Sequence, residues 1–340
     1  MTAADGTAVS CDPAGGVLLV DKPAGVTSFA VVNAVRKALV QAFPELVSKR
    51  VKGGPKPPRF KCGHAGTLDP LATGLLVVLV GKGSRLSNFL LGMDKTYAAT
   101  VRFGTATDSL DADGEVVCTA PAPTDEAVIK AALDQFRGAI SQVPPLVSAL
   151  KKDGQPLYKL VRAGKDVAEP AARPVTINKL ELVATRLAGP EPEADLLVGC
   201  SSGTYIRSLA RDLATAVDSV GHIAQLRRLD VGPFDVADAV TDVMTITGAE
   251  VVANMRPLTA ALPQAPLMEV TAEEAASLRL GHQPEPDWIE RLDGPPVAMG
   301  RKGTEPLFRM VDTAGELVAV GRIDEESGEP RIAVGIPRQT

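Results

Sequence analysis

The chain alternates short apolar runs with turn-forming clusters, and the period of each run sets the element it predicts. GVLLVDKPAG (residues 16–25) reads as a short apolar strand closed by a Lys-Pro-Ala-Gly turn. Ser28 then reads as the cap of a helix whose apolar stripe is Val31, Val32, Val35 and Leu39, spaced at one helical face. LLVVLV (residues 75–80) has strand length. KTYAATVRFG (residues 95–104) alternates strictly, placing Tyr97, Ala99, Val101 and Phe103 on one face and Thr96, Ala98, Thr100 and Arg102 on the other. An Asp113-Gly114 turn follows, then a helix expected from a cap at Thr124 to about Phe136.

Farther along, DLLVGCS (residues 195–201) predicts a strand, SSG a turn, and YIRSLARDLATAV a helix with Ile206, Leu209, Leu213 and Val217 on its apolar face. Pro257, Pro263 and Pro266 then punctuate the chain, and a domain boundary is expected there, dividing residues 1–262 from 263–340. The second part shows one short helix, TAEEAASLRLG, with Thr271 as N-cap and Gly281 as terminator, and several short strands such as GELVAVGRID. Strands and helices mix without a βαβ rhythm, so the expected class is α+β: a mixed, mainly antiparallel central sheet flanked by helices, with a small β-rich C-terminal module.

A length of 340 residues favours two domains, and 45% hydrophobic with 23% charged residues is an ordinary globular balance. No window approaches the ~20 apolar residues of a membrane span, and the first 15 residues, expected to be flexible, lack the pattern of a signal peptide. A cytoplasmic protein with no membrane association is expected. Cys11, Cys62, Cys118 and Cys200 lie far apart with no CxxC pair and no histidine at ligand spacing, so neither disulfide nor metal is expected.

Charge is uneven. Residues 263–340 hold 8 Lys+Arg against 14 Asp+Glu, leaving 28 against 27 in residues 1–262. Inside the first part, the loop at residues 44–61 carries six basic residues from Ser48 to Lys61: Lys49, Arg50, Lys52, Lys56, Arg59 and Lys61. Its Gly and Pro residues exclude a helix, and it reads either as a phosphate-binding loop or as a solvated linker.

GHAGTLDPLATG (residues 63–74) holds the first chemical candidate. Asp69 stands before Pro70, among Gly63, Gly66 and Gly74, in a loop able to hold one carboxylate rigidly at a strand end; Asp-Pro is also a common turn element. The chain has three tyrosines, Tyr97, Tyr158 and Tyr205. Tyr97 and Tyr205 offer base-sized stacking faces, and ordinary strand packing accounts for a lone tyrosine equally well. Arg207, at a strand-to-helix turn, reads either as a bidentate clamp for a carboxylate or as a helix-surface arginine. His64 reads as a hydrogen-bonding wedge or a polar turn residue. The absence of a second carboxylate in a comparable loop counts against a glycosidase.

Taken in order, GVLLVDKPAGVTS, GHAGTLDPLATG, KTYAATVRFG, GQPLYKLVRAG, CSSGTYIRSLARDL and IAQLRRLDVGPF resemble the successive motifs of the bacterial tRNA pseudouridine-55 synthases, the TruB family, across residues 16–234. The resemblance implies that Asp69 is the essential aspartate, that Tyr97 stacks on the target base, and that Arg207 pairs with Asp69. It implies that Tyr205 and Leu226 line the uridine pocket, that His64 holds flipped-out loop nucleotides, and that Lys22 is the lysine of the DKPAG turn. The C-terminal module resembles an RNA-binding PUA-like domain. Ser202 and Ala214 depart from the lysine and glycine frequent in relatives.

The implied activity is isomerisation of uridine 55 in the T-arm of tRNA, with tRNA (T stem-loop) as partner, no cofactor or metal, no obligate protein partner and a monomeric state. Two competing readings are a guide-RNA-dependent pseudouridine synthase and a catalytically idle tRNA-folding chaperone.

Overall fold

The structure is a computed structural model that describes residues 12–13, 15–47, 60–148, 151–152, 155–157, 167–299 and 304–338. Tyr158, Cys11 and residues 48–59 of the basic loop lie outside the described residues. Contacts divide the chain into two compact units: Met1–Asp69 with Gly74–Met93 and Gly232–Thr340, and Pro70–Thr73 with Asp94–Val231. The elements have the expected α+β character, with antiparallel pairing dominant.

The first unit opens with strand β1 (Gly15–Lys22) and helix α1 (Ser28–Ala42), followed by β2 (Cys62–His64) and β3 (Thr73–Gly81). β1 runs antiparallel to β3 from Gly15 opposite Gly81 to Lys22 opposite Gly74, and β2 pairs antiparallel with β3 at Val78–Val80. Both long strands are buried on their two faces, which is why their sequences are continuously apolar rather than alternating. The stripe read on α1 is buried as expected, with Val31, Val35 and Leu39 at 0% exposure, each side chain contributing roughly 1.5–3 kcal/mol.

The cap of α1 is Thr27, whose hydroxyl accepts the Ala30 N–H, rather than Ser28. Ser28 is withdrawn from capping because its hydroxyl is engaged by a residue forty positions away.

The second unit is built on β4 (Lys95–Phe103), β5 (Thr105–Thr107), β6 (Val116–Thr119), helix α2 (Glu126–Leu133), β7 (Gly138–Gln142), β8 (Arg173–Arg186), β9 (Glu193–Cys200), helix α3 (Ile206–Ala216) and β10 (Gly221–Val231). Its sheet runs β10-β4-β9-β8-β7, every pair antiparallel, and β5 and β6 form a hairpin around the Asp113-Gly114 turn. β4 keeps the predicted alternation: Tyr97, Ala99, Val101 and Phe103 are all buried. α2 is capped by Asp125, one residue later than the expected Thr124, through a bond from Ala127 N–H to the carboxylate. α3 buries Ile206, Leu209 and Leu213 of the expected face, and Val217, its C-cap, is buried with them. A Cβ on Gly221 would stand 2.8 Å from the Ala214 Cβ, so with alanine at 214 only glycine at 221 permits this approach of helix to sheet.

The C-terminal part of the first unit holds α4 (Gly248–Asn254), β11 (Leu267–Val270), α5 (Ala272–Arg279), β12 (Val297–Met299), β13 (Glu305–Asp312), β14 (Leu317–Ile323) and β15 (Pro330–Gly335). The strands form a five-stranded sheet in which only β11 and β13 are parallel. Its core gathers Met268, Trp288, Phe308, Met310 and Val318. Thr271 caps α5 in a full capping box with Glu274, and Gly281 follows at φ +95, both as read from the sequence.

Candidate active site

In the first unit, Asp69 lies in the loop between β2 and β3, half-buried. Two glycines of this loop need their freedom: Gly66 has φ +110 and Gly74 φ +99, whereas Gly63 sits inside β2. The residue before Asp69 is fixed from both sides. Leu68 N–H donates to the Ser28 hydroxyl at 2.8 Å, and that hydroxyl donates to the Leu68 carbonyl at 2.9 Å. Leu68 is 3% and Ala72 0% exposed, so apolar anchors flank the carboxylate on each side.

Lys22, at the end of β1, is fully buried, and its Nζ donates to the carbonyls of Pro23 and Val26, each at 2.8 Å. In this structure it ties the DKPAG turn to itself, immediately before α1 and its Ser28 lock. His64 ends β2 opposite Val78, and the next residue extends the ladder through Ala65 N–H to the Val77 carbonyl, 2.9 Å.

In the second unit, Tyr97 and Leu226 share one face of the sheet. Leu226 lies across from Ala99, two residues from Tyr97, and both candidate side chains are 8% exposed. Arg228 lies directly across from Tyr97 and is 1% exposed. Lys95 stands on this face too, and burial, then the charge of Arg228, brings its pKa down to about 8. The Cys200 thiol beside it is pushed up to about 11 by burial, which keeps it protonated and unreactive.

Tyr205 and Arg207 sit at the start of α3. No side chain of its own turn caps the helix; instead the Gln142 amide accepts from Tyr205 N–H at 2.8 Å and donates to the Tyr205 carbonyl at 3.1 Å. Arg207 is not a helix-surface residue: it is 5% exposed. Its Nη1 donates to the Ser109 carbonyl (2.6 Å), its Nη2 to the Val147 carbonyl (2.9 Å), and its Nε faces Asp111 Oδ2 at 3.7 Å. Asp111 in turn accepts from the Ser109 hydroxyl and the Asp113 N–H. Between them Leu110 adopts φ +63, a costly backbone for a branched residue, in the loop that holds the guanidinium.

Gln142 and Asp111, which hold Tyr205 and Arg207, were missed by sequence reasoning, and Ser28 was read as a cap where it holds Leu68. The acidic turn DSLDADG was a readable signal for Asp111; a lone polar residue on a strand gave none for Gln142. Among the described residues no group of His, Cys, Asp and Glu is arranged to hold a metal ion, and no helix is long and apolar enough to cross a membrane.

Residues 53–206 match the profile of the TruB family pseudouridylate synthase N-terminal domain. A tRNA pseudouridine synthase B of Corynebacterium aurimucosum is 38% identical over 329 residues, covering 95% of this chain and 96% of the relative. One of Aromatoleum aromaticum is 42% identical over 271 residues, 78% of this chain and 80% of the relative. Among solved structures, a chain of a Cbf5-Nop10-Gar1 complex has a TM-score of 0.63 at 22% identity, covering 96% of this chain and 88% of that chain. A chain of the archaeal box H/ACA sRNP Nop10-Cbf5 complex gives 0.61 at 21%, covering 95% and 87%. These two likenesses speak to the fold. By the identity and coverage of its sequence relatives, the chain belongs to the TruB family of pseudouridylate synthases.

Proposed function

We propose that the protein isomerises uridine 55 in the T-loop of tRNA to pseudouridine and that Asp69 is its catalytic residue. Membership of a family whose relatives are named tRNA pseudouridine synthase B carries the reading. The doubly hydrogen-bonded mounting of Leu68, next to Asp69, supports it.

In the reaction the bond from N1 to C1′ breaks, uracil turns, and C5 bonds to C1′; the proton leaving C5 is balanced by one gained at N1. A base inside a stacked loop must first be extruded, at a cost of a few kcal/mol that stacking and hydrogen bonds to the flipped base offset. Tyr97 supplies the stacking face, Tyr205 and Leu226 the walls of the uridine pocket, and His64 a support for the displaced nucleotides. Arg207 pairs with Asp69 and keeps it ionised. Lys22 acts by fixing the turn ahead of α1. Asp69 either attacks C1′ as a nucleophile or takes a proton from C2′ to give a glycal. Residues 1–262 form the catalytic domain and 263–340 a PUA-like RNA-binding domain, and the protein works as a cytoplasmic monomer without cofactor or protein partner.

The test is incubation of purified protein with an unmodified tRNA transcript and mapping of pseudouridine by carbodiimide-dependent primer extension. One new stop at the T-loop uridine is expected, lost in Asp69→Asn while tRNA binding stays within a few-fold. Turnover by Asp69→Asn would sink the assignment of Asp69. Activity on bare tRNA excludes the guide-dependent reading, and binding without turnover by the wild type would favour the chaperone.

A further inference from the structure

On the outer side of α1 a pocket of about 270 Å³ is lined by Arg36, Lys37, Val40, Gln41, Val47 and Phe60. No lining residue is acidic. Arg36 is steadied by a 2.7 Å bond from its Nη2 to Asn33 Oδ1, Lys37 is exposed, and Phe60 is half-buried two residues before β2. The surrounding sequence is the most basic in the chain: from Arg36 to Lys61 there are eight Lys and Arg residues and a single acidic one, Glu45, in a protein of net charge −5. Two cations, Arg36 and Lys37, lining one pocket with the Phe60 ring suit one chemistry above others: a phosphate on the cations and a base on the ring.

The placement of α1 relates this pocket to Asp69. Ser28, the first residue of the helix, is bonded to Leu68. At 1.5 Å per residue, Arg36 and Gln41 lie roughly 12 and 20 Å along the helix from that anchor. At ~3.4 Å per nucleotide of a stacked strand this is a span of about four to six nucleotides.

We infer that the α1 pocket is a second RNA subsite, taking one unpaired nucleotide of the substrate RNA a few positions from the isomerised uridine, with its base on Phe60 and its phosphates on Arg36 and Lys37. The inference rests on RNA being the substrate. The pocket adds affinity without touching the reacting uridine, so it acts on binding and not on the chemical step.

The experiment is fluorescence anisotropy of full-length protein with an unmodified tRNA transcript over a salt series, with turnover at saturating tRNA measured alongside. For Arg36→Ala/Lys37→Ala, Kd should weaken about tenfold and the slope of log K against log salt should fall in magnitude by about 1 to 2. Phe60→Ala should weaken Kd about tenfold with the slope unchanged. Both variants should keep wild-type kcat. Phe60→Leu fills the same space without a stacking face and should behave as Phe60→Ala; full rescue by leucine would show a packing role and overturn the proposal. Kd and slope within twofold of wild type in all variants would also overturn it, as would a loss confined to the charge variant. Lys37→Ala alone, at an exposed position, guards against a folding defect. Wild-type protein that binds tRNA but does not turn it over would remove the activity reading and leave the subsite standing on these affinities.

Discussion

Arg207 is held by two backbone carbonyls and faces a carboxylate. A lysine ammonium cannot reach all of them, because a point charge lacks the planar fork. Arg207→Lys is therefore expected to lower kcat by about 10²- to 10³-fold, read in single-turnover kinetics, and wild-type rates would remove Arg207 from the site. Lys95 makes a second test at this scale. Burial lowers its pKa from 10.5 to about 8, so between these pH values the unfolded chain holds more of this proton than the folded one. Stability therefore rises with pH across that window, by no more than about 1.4 kcal/mol per pH unit, and this contribution is flat below it. Denaturant melts should show wild type gaining on Lys95→Met as pH is raised from 8 to 10.5. A constant difference would mean that Lys95 keeps its ordinary proton affinity.

At the scale of elements, helix starts divide into two kinds. α5 is capped by its own Thr271 and Glu274, and Thr271→Ala should cost about 1 kcal/mol in a thermal melt without changing kcat. α3 starts on an amide borrowed from β7. Gln142→Leu leaves the N–H and carbonyl of Tyr205 without that partner, at a cost of about 1–3 kcal/mol, and loosens the turn that carries Tyr205 and Arg207. Loss of stability together with loss of kcat is expected; a stability loss alone would show that the helix start does not position the site. The first kind of cap is legible in sequence because its partners are three residues apart. The second is not, because Gln142 and Tyr205 are 63 positions apart. Ser28 was misread for the same reason: its local environment suits a cap, and its hydroxyl is taken by Leu68, 40 positions on.

For the whole molecule, the net charge of −5 conceals a near-neutral first part and an acidic end. If the basic residues of the first part contact RNA phosphates, the association constant for tRNA must fall steeply with salt, by close to one power of salt per phosphate neutralised. A measured slope near zero would show that these cations do not meet the RNA backbone. The contact units also cross the chain order: Pro70–Thr73 belongs with Asp94–Val231, although the residues on either side belong to the other unit. The second sheet begins at Leu267, after Pro257, Pro263 and Pro266, while contacts keep Gly232–Thr340 within one unit. The interleaving was invisible, because it depends on strand pairing between distant segments.

Sequence by itself determined the α+β class, the period and faces of β4, α1 and α3, the α5 cap, and the Asp69 loop with its glycines, since each is written in residues that are neighbours along the chain. Tertiary structure alone decided what holds those pieces: the Ser28 lock on Leu68, the Gln142 clamp on Tyr205, the carbonyls and Asp111 around Arg207, and the depressed pKa of Lys95. Each of these arises when polar groups far apart in sequence are buried together and must satisfy one another, a requirement that no local pattern records.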